Sequence, residues 1–193
     1  MEMDRSLLDR ALETLGATLD ARGQHYELVA IGGSGLMLVG RITRPTKDLD
    51  IVALVEHGRL VPADPMPADL AEASGDVGRA LGLAEDWLNP GPTELLRFGL
   101  PEGFFDRVET RRYGALTLHL AGRFDQICFK VYAAADQGMR SKHAADLRAL
   151  QPTREELLAA ARWSMTHDPS EGYRLELVGL LASLGVEDAD AEL

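Results

Sequence analysis

The stretch that most constrains this chain runs from residue 27 to residue 55, where a glycine turn is followed by two closely spaced aspartates. Its apolar run Leu28–Ile31 predicts a buried strand. The Gly-Gly-Ser sequence at 32–34 predicts a tight turn, with Ser34 as the N-cap of a short helix through Leu36–Val39. This order of elements brings the N-terminal end of a helix to the end of a strand.

A second strand begins with Asp48 and Asp50, behind an irregular basic loop over Arg41–Lys47. Side chains alternate between the two faces of a strand, so these two carboxylates are expected to point the same way. Such carboxylates repel each other unless a cation lies between them, and oxygen ligands of this kind suit Mg²⁺ or Mn²⁺. The alternative is a solvated acidic start of a strand that holds no ligand.

The glycine turn and the helix behind it would present unpaired backbone N–H groups, which favour a phosphate. A phosphate cradle beside a carboxylate pair predicts a site for a metal ion and a nucleoside triphosphate. Gly33 and Ser34 would hold phosphate oxygens, and Asp48 and Asp50 would hold the metal ion. The chemistry of such a site is in-line attack at phosphorus, with the metal ion neutralising the charge that develops.

This ordered combination resembles the first motif of the DNA polymerase β-like nucleotidyltransferase superfamily. The residues that carry the resemblance are Gly32, Gly33, Ser34, Arg44, Thr46, Asp48 and Asp50. It implies an α+β nucleotidyltransferase fold, with a small mixed β-sheet flanked by helices and a helical C-terminal region. Many members carry a third metal-binding carboxylate on a later strand. Here the strand Leu116–Leu120 contains no acid, and Glu109 on its partner strand is the nearest candidate.

A predicted helix over residues 124–137 places a lysine among apolar side chains. Ile127, Val131 and Ala134 form the apolar stripe of this helix, and Lys130 lies on the same stripe. An inward ammonium group needs an anionic partner, because burying it unpaired is costly. A triphosphate or the aspartate pair would supply one. The alternative is a lysine whose stem covers apolar surface while its charged end reaches water.

The residues from Lys130 through an Ala-rich turn and a basic pair to Asp146 resemble the AbiEii-like toxins of bacterial AbiE-type toxin–antitoxin systems and their small relatives. The resemblance covers about residues 27–165, and Lys130 and Asp146 match the lysine and the later aspartate of that branch. Lys142-His143 stands where the branch more often has Lys-Asp, so one acid is missing. Asp146 would orient Lys130 or act as a base for the acceptor. The alternative is an ion pair with Lys142.

Composition limits the partners and the location of the chain. Its 193 residues suit one compact unit, with 1–122 as the nucleotidyltransferase core and 123–193 as a helical region packed on it. The net charge of −11 makes an RNA acceptor less favoured than a protein acceptor. The single cysteine, Cys128, fits a reducing compartment. With no signal peptide and no apolar run of membrane-spanning length, we expect a cytoplasmic protein without a membrane partner.

The predicted function is Mg²⁺-dependent transfer of a nucleoside monophosphate from a nucleoside triphosphate to a protein or RNA, in a toxin–antitoxin system. Arg44 and Lys47, beside the aspartates, would contact the acceptor or only solvate their loop. Two other hypotheses stay open. One is an antitoxin-like member that modifies or binds a cognate toxin. The other is a degenerate domain that binds a nucleotide or a partner without turnover, which the missing third carboxylate and His143 favour.

The remaining sequence predicts further elements, which complete the expected fold. These are helices over 4–21 and 68–81, a loop over 56–67, a short helical stretch over 93–98, a hairpin of Val108–Tyr113 and Leu116–Leu120 around Gly114-Ala115, a capping box at Thr153–Glu156, and a frayed acidic tail over 187–193.

Overall fold

The computed structural model of the chain describes residues 2–193. The chain divides into two compact units. The first extends to Gly99 and continues over Phe105–Ala121, and the second comprises Leu100–Phe104 and Gly122–Leu193. The first unit has α and β structure and the second is helical. The predicted boundary after residue 122 lies one residue from the break at Ala121.

The first unit contains the sheet and three α-helices. Its helices are α1 (Arg5–Ala21), α2 (Gly32–Leu38) and α3 (Ala68–Leu81), and its strands are β1 (Tyr26–Ile31), β2 (Leu49–Glu56), β3 (Arg59–Pro62), β4 (Leu88–Asn89), β5 (Glu109–Tyr113) and β6 (Leu116–Leu120). A 3₁₀ helix covers Gly91–Phe98, and a second one, Phe104–Arg107, lies where the units divide.

The sheet is open and mixed, with the strand order β3-β2-β1-β6-β5. β1 runs antiparallel to β2 and parallel to β6, and β5 runs antiparallel to β6. The short strand β4 adds in parallel to the start of β2, where Asn89 pairs with Asp50. On the other side of β2, Ile31 at the end of β1 also pairs with Asp50. The α+β class and the small mixed sheet predicted from the sequence are confirmed.

One face of the sheet packs against α1 and α3. The core there contains alternate residues of three strands and the apolar faces of both helices: Leu28, Ala30, Leu49, Ile51, Leu116, Leu118, Leu120, Leu8, Leu12, Leu15, Leu19, Leu70, Ala73 and Val77. Each fully buried leucine contributes about 1.5–3 kcal/mol to stability. Helices α1 and α3 match their predictions, and the Asp4 side chain caps α1 by accepting from Leu7 N at 2.8 Å.

A second hairpin, β2–β3, occupies part of the segment predicted as a loop. Its two turn residues, His57 and Gly58, have φ of +51° and +74°. Two-residue hairpin turns of this type require positive φ at both positions, for which Asn-Gly is the usual sequence signal. Histidine at the first position concealed the turn. The loop prediction was therefore wrong over Arg59–Pro62, where the proline is tolerated because β3 is an edge strand.

The second unit is built from five helices among the described residues: α4 (Arg123–Gln137), α5 (Lys142–Leu150), α6 (Arg154–Met165), α7 (Glu171–Ser183) and α8 (Ala189–Glu192). Its core includes the predicted stripe of α4, and Cys128 is fully buried there. The capping box at Thr153–Glu156 is confirmed. The frayed tail is not, because α8 lies in the predicted tail and three arginines bind the acidic side chains around it.

None of the helices in residues 2–193 combines the length and the apolar character that a membrane span needs.

Candidate functional site

The glycine turn and the second aspartate lie directly against each other. Helix α2 begins at Gly32, immediately after β1, and Gly32 has φ of +76°. A Cβ atom built at Gly32 would lie 2.3 Å from Asp50 Oδ2. The left-handed backbone therefore favours glycine at this position, and a larger residue would also displace the Asp50 carboxylate. The turn and the aspartate strand meet because Ile31 pairs with Asp50 across β1 and β2.

Ser34 does not cap α2, contrary to the prediction from sequence. The N-cap of α2 is Ile31, which provides no side-chain hydrogen bond. Ser34 is 1% exposed, and its hydroxyl donates to the Asp48 carbonyl and lies 3.2 Å from Thr46 Oγ1. The Thr46 hydroxyl donates to the same carbonyl at 3.1 Å. Ser34 therefore anchors the loop that leads into β2, and its contact with a phosphate stays a prediction.

The two aspartates lie at the start of β2, and Asp50 points to the sheet face opposite the core. Leu49 and Ile51 belong to the core, so alternation along the strand directs Asp50 to the other face. Asp48 lies one residue before β2, outside the strand, so its direction stays a prediction. Both aspartates are half-buried. The position of Leu49 in the core thus accounts for the direction of Asp50, the second member of the pair.

Asn89 is a functional candidate that the sequence analysis missed. Its Nδ2 donates to Asp50 Oδ1 at 2.9 Å, and its Oδ1 accepts from Gly91 N at 3.0 Å. The Gly91 N–H requires an oxygen as acceptor, so the amide nitrogen of Asn89 must face Asp50. Asn89 lies on the two-residue strand β4, in a turn-rich segment whose sequence gives no strand signal. A neutral amide in this position orients the carboxylate of Asp50 without removing its charge.

Arg44 approaches the turn from the basic loop. A Cβ atom at Gly33 would lie 2.9 Å from Arg44 Nη2, so the guanidinium group lies against the backbone of the turn. Lys47, by contrast, is exposed. A guanidinium group beside glycine backbone is well suited to phosphate oxygens, because its planar donors form paired hydrogen bonds with them. Of the two basic residues named from the sequence, Arg44 is the one that contacts the glycine turn.

The carboxylates at this end of β2 equal in number those that usually hold a magnesium ion. Mg²⁺ is usually held by one or two carboxylates and takes its remaining ligands from water and substrate phosphates. Asp48 and Asp50 supply that number, and the amide of Asn89 restrains one of them. Within residues 2–193, no group of three or more His, Cys, Asp and Glu side chains is arranged to hold a metal ion. Glu109, the nearest sequence candidate for a third acid, binds Arg111 at 2.6 Å.

Lys130 and Asp146 form a buried ion pair inside the second unit. Lys130 Nζ lies 2.8 Å from Asp146 Oδ2, and each side chain is 3% exposed. The inward lysine predicted from the stripe of α4 is therefore present, and its anionic partner is Asp146. The alternative of a lysine that reaches water is wrong. Since Asp146 supplies the negative charge, burial of Lys130 does not by itself require a triphosphate.

A separate polar cavity of about 220 Å³ lies beside the first residue of β1. Its wall includes Tyr26, whose hydroxyl donates to Asp69 Oδ1 at 2.5 Å, and Gln24, whose Nε2 donates to Asp69 Oδ2 at 2.9 Å. Burial and the hydrogen bond to Asp69 raise the pKa of Tyr26 to about 12. The hydrogen bond from Tyr26 lowers the pKa of Asp69 below its usual value. Asp69 is thus a carboxylate stabilised first by the hydrogen bond from Tyr26, with a smaller contribution from the charge of Arg22.

Comparisons with known proteins assign no family to this arrangement. No protein-family model, no curated protein and no solved structure matches the chain. The residues of the candidate site and their contacts are therefore the basis for assigning a function.

Proposed function

We propose that this protein is a nucleotidyltransferase that transfers a nucleoside monophosphate from a Mg²⁺-bound or Mn²⁺-bound nucleoside triphosphate to a macromolecular acceptor. The observation that carries the proposal is the contact between Gly32 and Asp50, with 2.3 Å between the Cβ position of the glycine and Asp50 Oδ2. It supports a site in which a phosphate-binding turn and a metal-binding carboxylate are neighbours.

Each group near the turn has a chemical role in this proposal. Asp48 and Asp50 would hold the metal ion, which when bound supplies charge neutralisation at the phosphates. The N–H groups of the turn would hold phosphate oxygens, and the guanidinium group of Arg44, which lies against Gly33, would stabilise their charge. An acceptor hydroxyl would attack the α-phosphorus and lose its proton to water. The bond between the α-phosphorus and the oxygen that bridges it to the β-phosphorus would break, and pyrophosphate would leave with that oxygen, its negative charge stabilised by Arg44.

Lys130 and Asp146 have a less direct part in the proposal. The contact of Lys130 with the triphosphate stays a prediction, as does the action of Asp146 as a base. Their ion pair at 2.8 Å supports a positioning role, in which Asp146 holds the ammonium group within the second unit. Loss of catalysis in a Lys130 variant would therefore need a separate measurement of folding before it is assigned to chemistry.

The acceptor that the charge of the chain favours is a protein. With 31 acidic and 20 basic residues, the chain has a net charge of −11, which opposes binding to a polyanion. The toxin–antitoxin setting, with a cognate protein partner, is supported by the sequence resemblance around Lys130 and Asp146. Growth inhibition on expression is accordingly a second readout of the proposed activity.

A second candidate function is binding of a nucleotide or a partner protein without turnover. Two observations favour it: the hydroxyl of Ser34 is engaged inside the protein, and Asp146 already neutralises Lys130. Both groups belong to the set that the sequence predicted for substrate binding. In this case Asp48 and Asp50 would still bind a metal–nucleotide complex, and no label would pass to an acceptor.

The test is incubation of the purified protein with Mg²⁺, each α-labelled nucleoside triphosphate and cell extract. We expect a labelled macromolecule with the unchanged chain, and a loss of about 100-fold or more with Asp50→Asn. Asp20→Asn is the matched control, because Asp20 is an exposed aspartate on α1. If nothing is labelled, and Asp48→Ala leaves growth effects unchanged, the transferase proposal is wrong. Calorimetric binding of Mg²⁺–nucleotide in that event identifies the second candidate.

A further inference from the structure

Three arginines of the second unit converge on one acidic segment. Arg154 lies at the start of α6, Arg162 lies two turns later on the same helix, and Arg174 lies on α7. All three bind the segment over residues 187–193. We call Arg154, Arg162 and Arg174 the arginine surface. Such a concentration of positive charge on one face is notable in a chain with a net charge of −11.

Arg154 binds carboxylates at both ends of the segment, and Arg162 binds the second of them. Arg154 Nη2 lies 2.6 Å from Asp188 Oδ2 and 3.3 Å from Glu192 Oε1. Arg162 Nη2 lies 3.2 Å from Glu192 Oε2. Because the acidic side chains are four residues apart, one turn of helix brings both of them to the same side. The arginine surface therefore recognises carboxylates at helical spacing.

The arginines also bind the main chain of the segment. Arg174 Nη2 donates to the Asp190 carbonyl at 2.7 Å and lies 2.9 Å from Asp190 Oδ1. Arg162 Nη2 donates to the Glu192 carbonyl at 3.1 Å. Peptide carbonyls are acceptors that a polypeptide offers and a nucleic acid does not. The mixture of carboxylate and carbonyl acceptors therefore fits an acidic peptide better than a phosphate backbone.

The contact between residues 187–193 and the arginine surface has a defined register, but it is weak. Ala189 is fully buried, so one small apolar side chain fixes the position of the segment. The surrounding carboxylates are largely exposed, with side-chain exposures of 62% for Asp188 and 70% for Asp190. Exposed ion pairs contribute little to stability, and a helix of only four residues is not stable by itself. A competing segment of the same chemistry can therefore displace this one.

We propose that the arginine surface is a binding site for an acidic peptide segment of a partner protein, and that residues 187–193 occupy it until such a segment displaces them. The partner segment has acidic residues four apart on a helical turn, with a small apolar residue next to the first of them. A tethered segment competes at an effective concentration of about a millimolar. A partner segment must bind tightly enough to overcome this competition. Neutralising the acidic side chains of residues 187–193 weakens the competition and leaves the site accessible. This inference is independent of the proposed catalytic activity.

The experiment uses the full chain with Asp188→Asn, Asp190→Asn and Glu192→Gln, which removes three negative charges and keeps the length. The probe is a fluorescent peptide with the sequence of residues 186–193, and its anisotropy reports binding. We expect the neutralised chain to bind the peptide at least about tenfold more tightly than the unchanged chain. Raising the salt concentration from about 0.05 to about 0.5 M should weaken this binding, because the pairs are exposed to solvent.

Two arginine sets provide the matched controls. Replacing Arg154, Arg162 and Arg174 by glutamine in the neutralised chain should abolish peptide binding. Arg140→Gln with Arg148→Gln, which are exposed positions elsewhere in the unit, should leave it unchanged. The single variant Asp188→Asn, with an intermediate gain in affinity, serves if the triple variant does not fold.

Three outcomes would overturn the proposal. The first is a folded neutralised chain that does not bind the peptide. The second is binding that survives loss of the arginine surface. The third is tighter binding of a single-stranded oligonucleotide of equal charge than of the peptide, which would assign the surface to nucleic acid.

Discussion

The carboxylates of Asp50 in the first unit and Asp146 in the second have very different surroundings. Asp146 is nearly excluded from water and lies 2.8 Å from the ammonium group of Lys130. Asp50 is half-buried, packs against the backbone of Gly32 and receives a hydrogen bond from the neutral amide of Asn89. An ammonium partner cancels the charge of a carboxylate, whereas an amide only orients it.

This difference separates a structural pair from a ligand site. Taking two charges out of water is expensive, and their mutual attraction repays this cost only while both are present. The Lys130–Asp146 pair is therefore a fixed part of the second unit. Asp50 remains partly accessible to a cation from solvent, whereas Asp146 does not. The first unit is accordingly where ligand chemistry is expected.

Breaking the buried pair should give the largest effect. Lys130→Met leaves Asp146 buried without its cation, and we expect the free energy of unfolding to fall by about 3–5 kcal/mol in urea titrations. The double variant Lys130→Met with Asp146→Leu should recover most of this loss, because neither charge then remains buried. A single-variant loss below about 1 kcal/mol would mean that the pair is not the structural element described here.

A substitution at the glycine turn should have the second-largest effect on the free energy of unfolding. Gly32→Ala is expected to lower the free energy of unfolding by about 2–3 kcal/mol, because alanine is strained at φ of +76° and its Cβ meets Asp50 Oδ2. Gly23→Ala is the matched control, since Gly23 has φ of +67° and open space around its Cβ position. It should cost about 1 kcal/mol. Equal losses in urea titrations would show that Asp50 does not crowd the turn.

A third carboxylate placed beside Asp50 tests whether the first unit binds a cation. Without divalent ions, Asn89→Asp should lower the free energy of unfolding by about 1 kcal/mol, through repulsion between like charges. In the presence of Mn²⁺ we expect Asn89→Asp to be more stable than the unchanged chain. It should also bind Mn²⁺ about tenfold more tightly than the unchanged chain, as measured by electron paramagnetic resonance. Asn89→Ala is the control without the new charge. Unchanged Mn²⁺ affinity in Asn89→Asp would place the cation elsewhere.

Asp69 accepts hydrogen bonds from the neutral side chains of Tyr26 and Gln24, and removing the Tyr26 hydroxyl should have the smallest effect. The pKa of Tyr26 is raised from 10.0 to about 12, so the folded state retains the phenol proton more tightly than the unfolded state. The stability from this hydrogen bond is fully present below pH 10 and is lost as the pH rises towards about 12. The difference in unfolding free energy between the unchanged chain and Tyr26→Phe should shrink over that range. A difference in unfolding free energy that does not change with pH would contradict this prediction.

Periodicity predicted most of the elements, because α1, α3, α4, α6 and the β5–β6 hairpin have clear apolar patterns or caps. It could not predict contacts that depend on tertiary pairing. Asn89 meets Asp50 only because a two-residue strand adds to the start of β2. His57 hides a hairpin because its positive φ is set by the turn and not by its own preference. The sequence analysis expected Asp146 to orient Lys130, whereas it did not predict that Asp50 contacts Gly32 and Asn89.

The single cysteine of the chain has a practical consequence for experiments on the second unit. Cys128 is fully buried on α4, two residues before Lys130. A thiol reagent can reach it only when the surrounding helices open, so the rate of its modification measures how often that unit exposes its interior. Modification of Cys128 thus measures local opening of the helical unit without any added label.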